Sequence, residues 1–310
     1  MTAASLPDRV RDACRRVAAE AGFVRIEEGA VEVYAAGLAG APEPEPDPAT
    51  ELLVGDRETR AAFAICLDAI NFGSGWWPTI RKWPGRSGYF TIAAGVTERF
   101  RTDGAWTAPE LTAISASDLA ATLGQDPEHP LMEQFAASLR DVGSHVGAEH
   151  GGSFASVADA AAGSAATLAG LLAGWDAFAD TSLYGGRPVP FFKRAQLAAV
   201  DLDRAGVAAF ADLDRLTAFA DNLVPHVLRV DGVLRLDPDL TAAIEAEELL
   251  IHGSPEEVEL RACTVHAVEL LAAASGGSLS PAAIDVALWN RGRAPRYKAL
   301  PRPRSRNTAY

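Results

Sequence analysis

Asp68, Asn71, Phe72, Trp76 and Trp77 fall within ten residues of one another, with Gly73 and Gly75 between them. Flat aromatic surface beside an amide and a carboxylate suits a nucleobase, whose face stacks and whose edge needs donors and acceptors. The plainer reading is an aromatic plug at a helix end, with the glycines making the turn. A second cluster, Lys193 and Arg194 after Pro190-Phe191-Phe192, puts two cations in the first turn of an expected helix. That end carries positive partial charge, so cations there call for an anionic partner. Asp201, eight residues on, shares roughly the same face two turns away; an ordinary salt-bridged helix would also fit. In a third cluster Asp221 stands in an apolar surround just before a new helix. Backbone N–H groups and the helix dipole hold such a carboxylate ionised, as an N-cap or as an electrostatic catalyst. Glu259, Arg261 and Glu269 read as an internal ion-pair network.

These residues need helices to place them, and helical spacing dominates the chain. Ser5 before Pro7 and Asp8 starts a helix over about 7–21. The spacing predicts further helices over 58–70, 89–100, 131–146, 157–172, 193–205, 222–230, 238–246, 255–274 and 281–289. Strand candidates are short: 23–26, 81–83 and 183–189, the last holding a Tyr184-Gly185-Gly186-Arg187-Pro188 turn signal rather than a sheet signal. With no alternating βα pattern, the expected class is mainly α, a multi-helix globular fold with a few short strands. The proline-rich run Pro42–Pro48 reads as an extended loop. It divides an N-terminal helical segment, 1–50, from a helical domain, 51–310, unless one continuous domain spans 1–310.

With 48% hydrophobic and 22% charged residues the chain can bury a real core. Its 28 basic and 41 acidic residues sum to −13. Residues 291–310 hold seven cations and no acid, so the remaining 290 sum to −20. Such a body repels a polyphosphate; the tail is either a disordered basic extension or a small phosphate site. Cys14, Cys66 and Cys263 are isolated, and His145, His150, His226, His252 and His266 lack ligand spacing, so no metal is expected. Dinucleotide, P-loop, zinc-protease and serine-hydrolase signatures are absent. No basic-then-apolar leader and no apolar run of ~18 residues is present, giving the expectation of a cytoplasmic protein with no membrane partner.

Taken in order, the stretches LDAINFGSGWW, SGYFTIAAGV, GGSFASV, FFKRAQLAAVD, LTAFADNLVPHVL, EEVELRACTVHAVELL, DVALWN and RPRSRNTAY resemble the queuosine salvage family, the queuosine 5′-phosphate N-glycosylases. The resemblance runs from about residue 60 to the C-terminus. It implies hydrolysis of the N-glycosidic bond of queuosine 5′-monophosphate to queuine and ribose 5-phosphate, with no cofactor. It also implies an all-helical fold similar to helix-hairpin-helix DNA glycosylases, in which a lysine helix precedes an aspartate at the start of a later helix. Lys193 and Asp221 match that arrangement. On this reading Asp221 stabilises or attacks the ribosyl centre, while Lys193 positions water or neutralises phosphate. Asp68 and Asn71 would meet the base edge, with Phe72, Trp76 or Trp77 stacking. Arg194 and His226 are further substrate contacts, and Arg302, Arg304, Arg306 and Tyr310 are candidates for the phosphate. The partner is then a mononucleotide rather than a polynucleotide. The alternatives are a DNA-glycosylase-like repair enzyme and a non-catalytic nucleotide-binding accessory of RNA modification.

Overall fold

A computed structural model describes residues 4–38 and 47–310. Among them the chain forms fifteen α-helices and three two-stranded sheets, the mainly α architecture expected. The Pro42–Pro46 part of the proline-rich run lies outside the described residues; Asp47 beyond it pairs with Arg86 at 3.0 Å. No described helix is long and apolar enough to cross a membrane.

Helix starts follow the capping chemistry of the sequence. Ser5 accepts from the Asp8 N–H to open Leu6–Glu20, Asp56 caps Arg57–Ala69, and Ser254 caps Pro255–Ala274. The single helix expected over 157–172 is two, Phe154–Ala160 and Ala165–Leu172. Ala162 and Gly163 between them have φ of 49° and 80°, a left-handed break no α-helix accommodates. Asp212 then accepts from the N–H groups of Ala165 and Ala166, opening the second helix. Four helices escaped the sequence reading: Glu28–Ala36, Ala108–Ala113, Ala116–Leu123 and Pro295–Lys298.

Residues 81–83 form no strand. The 183–189 signal does make a turn, but a paired one: Thr181–Tyr184 runs antiparallel to Arg187–Pro190. Gly185 and Gly186, with φ of 55° and 74°, supply the two left-handed residues of a tight hairpin. Val24–Ile26 pairs with Leu234–Leu236.

Pro255–Ala274 lies at the centre, buried along most of its length, with Leu6–Glu20, Glu28–Ala36 and Pro281–Arg291 packed on it. Arg57–Ala69 is a second buried helix, clasped by Phe154–Ala160, Lys193–Arg204 and Pro130–Glu149. Glu259, Arg261 and Glu269 do not form the expected mutual network. Each reaches a different element: Glu259 takes the N–H groups of Gly22, Phe23 and Val24, Glu269 pairs with Arg11, and Arg261 pairs with Asp180. Helical side chains spaced this way point outward from one buried rod to several neighbours, which sequence proximity does not reveal.

The basic tail is an ordered strap rather than a disordered extension. Arg304–Ser305 pairs in parallel with Leu249–Leu250, and Pro301 and Pro303 carbonyls accept from Arg229 and Asn222. Ala309 and Tyr310 are buried: a Tyr310 main-chain oxygen accepts from Gly73 N–H, and the Ala309 carbonyl from Arg194. A Cβ at Gly75 would lie 2.5 Å from the Ser305 carbonyl oxygen, so glycine permits this strap to seat against 73–75.

Candidate active site

The hairpin sets up the start of Lys193–Arg204. Phe192 adopts φ 49°, rare for a bulky side chain, and the Asp180 carbonyl holds the Phe191 N–H. The Asp180 carboxylate caps the helix through Lys193 N–H at 3.1 Å. The anion expected at this end is therefore Asp180, and it binds the lysine's backbone rather than its ammonium. That leaves the Lys193 Nζ to reach Asn71, donating to its carbonyl oxygen at 3.0 Å and to its Oδ1 at 3.2 Å. Asn71 Nδ2 in turn faces Asp68 Oδ1 at 3.4 Å.

Asp221 is 8% exposed. Its Oδ1 accepts from Leu223 and Val224 N–H at 2.8 and 2.9 Å, at the first turn of Leu223–Val230. Its second oxygen has no protein partner among the described residues. Burial pushes the Asp221 pKa up, while Lys193, the two N–H groups and Arg302 pull it back. Burial drives the Lys193 ammonium the other way, opposed chiefly by Asp221. The pair is thus close enough to sense each other but forms no contact ion pair.

Two carboxyls complete the surroundings. Asp285, on Pro281–Arg291, accepts from Phe219 N–H at 3.0 Å; burial and the Asp221 charge hold it well above the usual carboxylate range. Asp201 touches Asp68; burial raises it to about 6, and burial with the Asp201 charge raises Asp68 further. Asp68 Oδ2 is buried without a donor, the setting of two carboxyls sharing one proton. Among the described residues no three His, Cys, Asp or Glu side chains converge on a metal-sized site. Half-buried Tyr89 and Phe90 meet Trp289 edge-on or tilted at centroid distances of 5.9 and 5.8 Å. The Tyr89 hydroxyl lies within reach of the Asp201 and Asp68 charges.

The structure therefore gathers Asp68, Asn71, Lys193, Asp221 and Arg302. Arg302 is half-buried, close enough to Asp221 for the two charges to interact, and donates to no protein acceptor among the described residues. Phe72 lies in the core, packed on Phe135 and beneath Arg194. Arg194 is spent on the Ala69 and Ala309 carbonyls, its pKa lowered by burial to about 10. Tyr310 stacks on Arg261, and His226 Nε2 donates to the Tyr297 carbonyl at 2.9 Å within the helix packing. Since a carbonyl only accepts, His226 Nε2 carries the proton. Arg304 pairs with Glu247, and exposed Arg306 lies over half-buried Trp76 at 6.0 Å. Trp77 packs against Gly73 and Gly88. Two open depressions of about 630 and 580 Å³ share no residue with this cluster.

Asp285, Tyr89 and Trp289 join this cluster without having been singled out in the sequence, and Asp201 stood there only as an acid on the Lys193 face. Asp285 and Trp289 stand four apart, on one helix face, and both fall in the DVALWN stretch, but nothing local ties either to Asp221.

Residues 53–310 match the family described as queuosine salvage protein. The chain belongs to this family. It is 35% identical over 309 residues to the queuosine 5′-phosphate N-glycosylase/hydrolase of Sphaerobacter thermophilus, covering 96% of each chain. Proteins of the same name from Dictyostelium discoideum and Mus musculus are 29% and 31% identical. The first covers 82% of this chain and 79% of its own, the second 58% and 59%.

Proposed function

We propose that the protein hydrolyses the N-glycosidic bond of queuosine 5′-monophosphate, releasing queuine for salvage into tRNA modification and leaving ribose 5-phosphate. The carrying observation is Asp221: one oxygen anchored to two helix N–H groups, the other free, with a buried lysine close by. Breaking a ribosyl bond builds positive charge on the sugar, and a fixed, ionised carboxylate in a dry site stabilises that charge or attacks the carbon. Lys193, immobilised on Asn71, keeps Asp221 ionised against burial and orients the nucleotide or the attacking water. Asp68 and Asn71 offer acceptors and a donor to the base edge, beside the Tyr89–Trp289 wall. Arg302, with no protein acceptor, is the tail cation placed best for the 5′-phosphate. One phosphate needs only such a local cation, and the net −20 of residues 1–290 disfavours a polynucleotide.

The test is incubation of purified protein with queuosine 5′-monophosphate, free queuosine and guanosine monophosphate, following released base by chromatography with mass detection. Queuine release, preferentially from the phosphorylated nucleoside, is expected. Binding without release would instead support a nucleotide-binding accessory protein.

A further inference from the structure

Asp285 is a buried carboxyl beside Asp221 to which the reading above gives no task. It is 3% exposed, and its helix abuts the one that Asp221 begins. At the end of Pro281–Arg291, a Cβ on Gly292 would come within 2.9 Å of Leu223 and Val227. Asp285 Oδ1 is tethered to Phe219 N–H, two residues before Asp221. Each of the two carboxyls thus fixes one oxygen on backbone and leaves the other without a protein partner among the described residues. The charged groups facing Asp285 are Asp221 and Lys193. Two adjacent carboxyls beside one cation do not both ionise readily. The helix N-terminus and the lysine favour charge on Asp221, which leaves the proton on Asp285.

We propose that Asp285 is the proton donor to the departing base and then the acceptor of the proton from the attacking water. The proposal rests on the hydrolase reading above. A 7-deazapurine lacks the ring nitrogen that an ordinary purine protonates before leaving, and here the proton goes instead to the nitrogen of the broken bond, where the electron pair collects. As the bond from the anomeric carbon to that nitrogen breaks, its electron pair goes to the nitrogen, which takes the Asp285 proton. Water oxygen then bonds to the anomeric carbon, and the water proton restores Asp285. Lys193 is the rival donor, with two of its three N–H bonds held on Asn71, whereas Asp285 keeps a free oxygen.

The experiment compares wild type, Asp285→Asn and Asp221→Asn on queuosine 5′-monophosphate and on 4-nitrophenyl β-D-ribofuranoside 5-phosphate, whose nitrophenolate leaves without a proton. Asparagine keeps the acceptor for Phe219, and the unfolding midpoint of each variant checks that it folds. Asp285→Asn is expected to lose about 10²–10⁴-fold in kcat on the nucleotide and at least about tenfold less than that on the nitrophenyl compound, where only the water-accepting half of its role is missing, while Asp221→Asn loses on both. Equal losses of Asp285→Asn on the two substrates, or no loss on either, overturn the proposal and leave the hydrolase reading standing. Wild type that releases no queuine removes that reading, and the proposal with it.

Discussion

Two buried cations, Arg261 and Lys193, stand on either side of Asp180 and use it differently. Arg261 is fully answered: both guanidinium arms bond the Asp180 carboxylate at 2.9 and 2.7 Å, its Nε reaches the Ala220 carbonyl, and Phe191 and Tyr310 sandwich its plane. Every donor-rich edge has a partner, and the result ties the hairpin, the 220 segment and the C-terminus to the central helix. Lys193 takes from Asp180 only a backbone cap, and its ammonium finds two neutral oxygens on Asn71 and no carboxylate in contact. Around it lie carboxyls with free oxygens. A satisfied buried pair organises a fold; an incompletely answered one stores electrostatic interactions for a ligand.

The comparison breaks first at Asp180. Asp180→Asn removes the charge that answers Arg261 and is expected to cost about 3–5 kcal/mol of stability, read from denaturant midpoints; a loss below about 1 kcal/mol would show that Arg261 does not hold the scaffold. Lys193→Met should invert that pattern. Turnover falls by about 10²–10³-fold, the range for removing one electrostatic contact to a transition state, while the unfolding midpoint moves less than for Asp180→Asn. Asp285 gives the smallest effect on stability. Its folded pKa is raised above its unfolded value by burial and by Asp221. Its contribution to stability is therefore full below the unfolded pKa of about 4 and lost as pH rises towards the folded value. Asp285→Asn should accordingly melt at or above wild type near pH 7, by about 2–4 °C, with the gap closing towards pH 4. A variant that melts lower at both pH values would place Asp285 among the scaffold residues.

Capping and periodicity made most helices legible, because Ser5, Ser254 and Pro255 act through neighbours a turn away. Lys193 and Asp221 were legible by type, since a cation at a helix start and an acid in an apolar surround each contradict a local preference. Asp285 was not, because its significance comes from a helix more than sixty residues along packing against Asp221. Nor was the work of the tail. Its charges suggested phosphate contacts, but much of its work is done by backbone: the carbonyls of Pro301, Pro303, Ala309 and Tyr310 all accept from the protein body. Of its arginines Arg302 interacts electrostatically with Asp221, while Arg304 is paired at the sheet edge. Phe72 and Arg194 look like ligand contacts in one dimension, yet both are buried in the core, where Arg194 lies over the Phe72 ring and bonds the Ala69 and Ala309 carbonyls.

The most direct measurement pairs binding with turnover in Asp221→Asn. Calorimetric affinity for queuosine 5′-monophosphate should stay within about tenfold of wild type, while queuine release falls by roughly three to five decades. Release at near wild-type rate in that variant would contradict the assignment of the ribosyl-stabilising charge to Asp221.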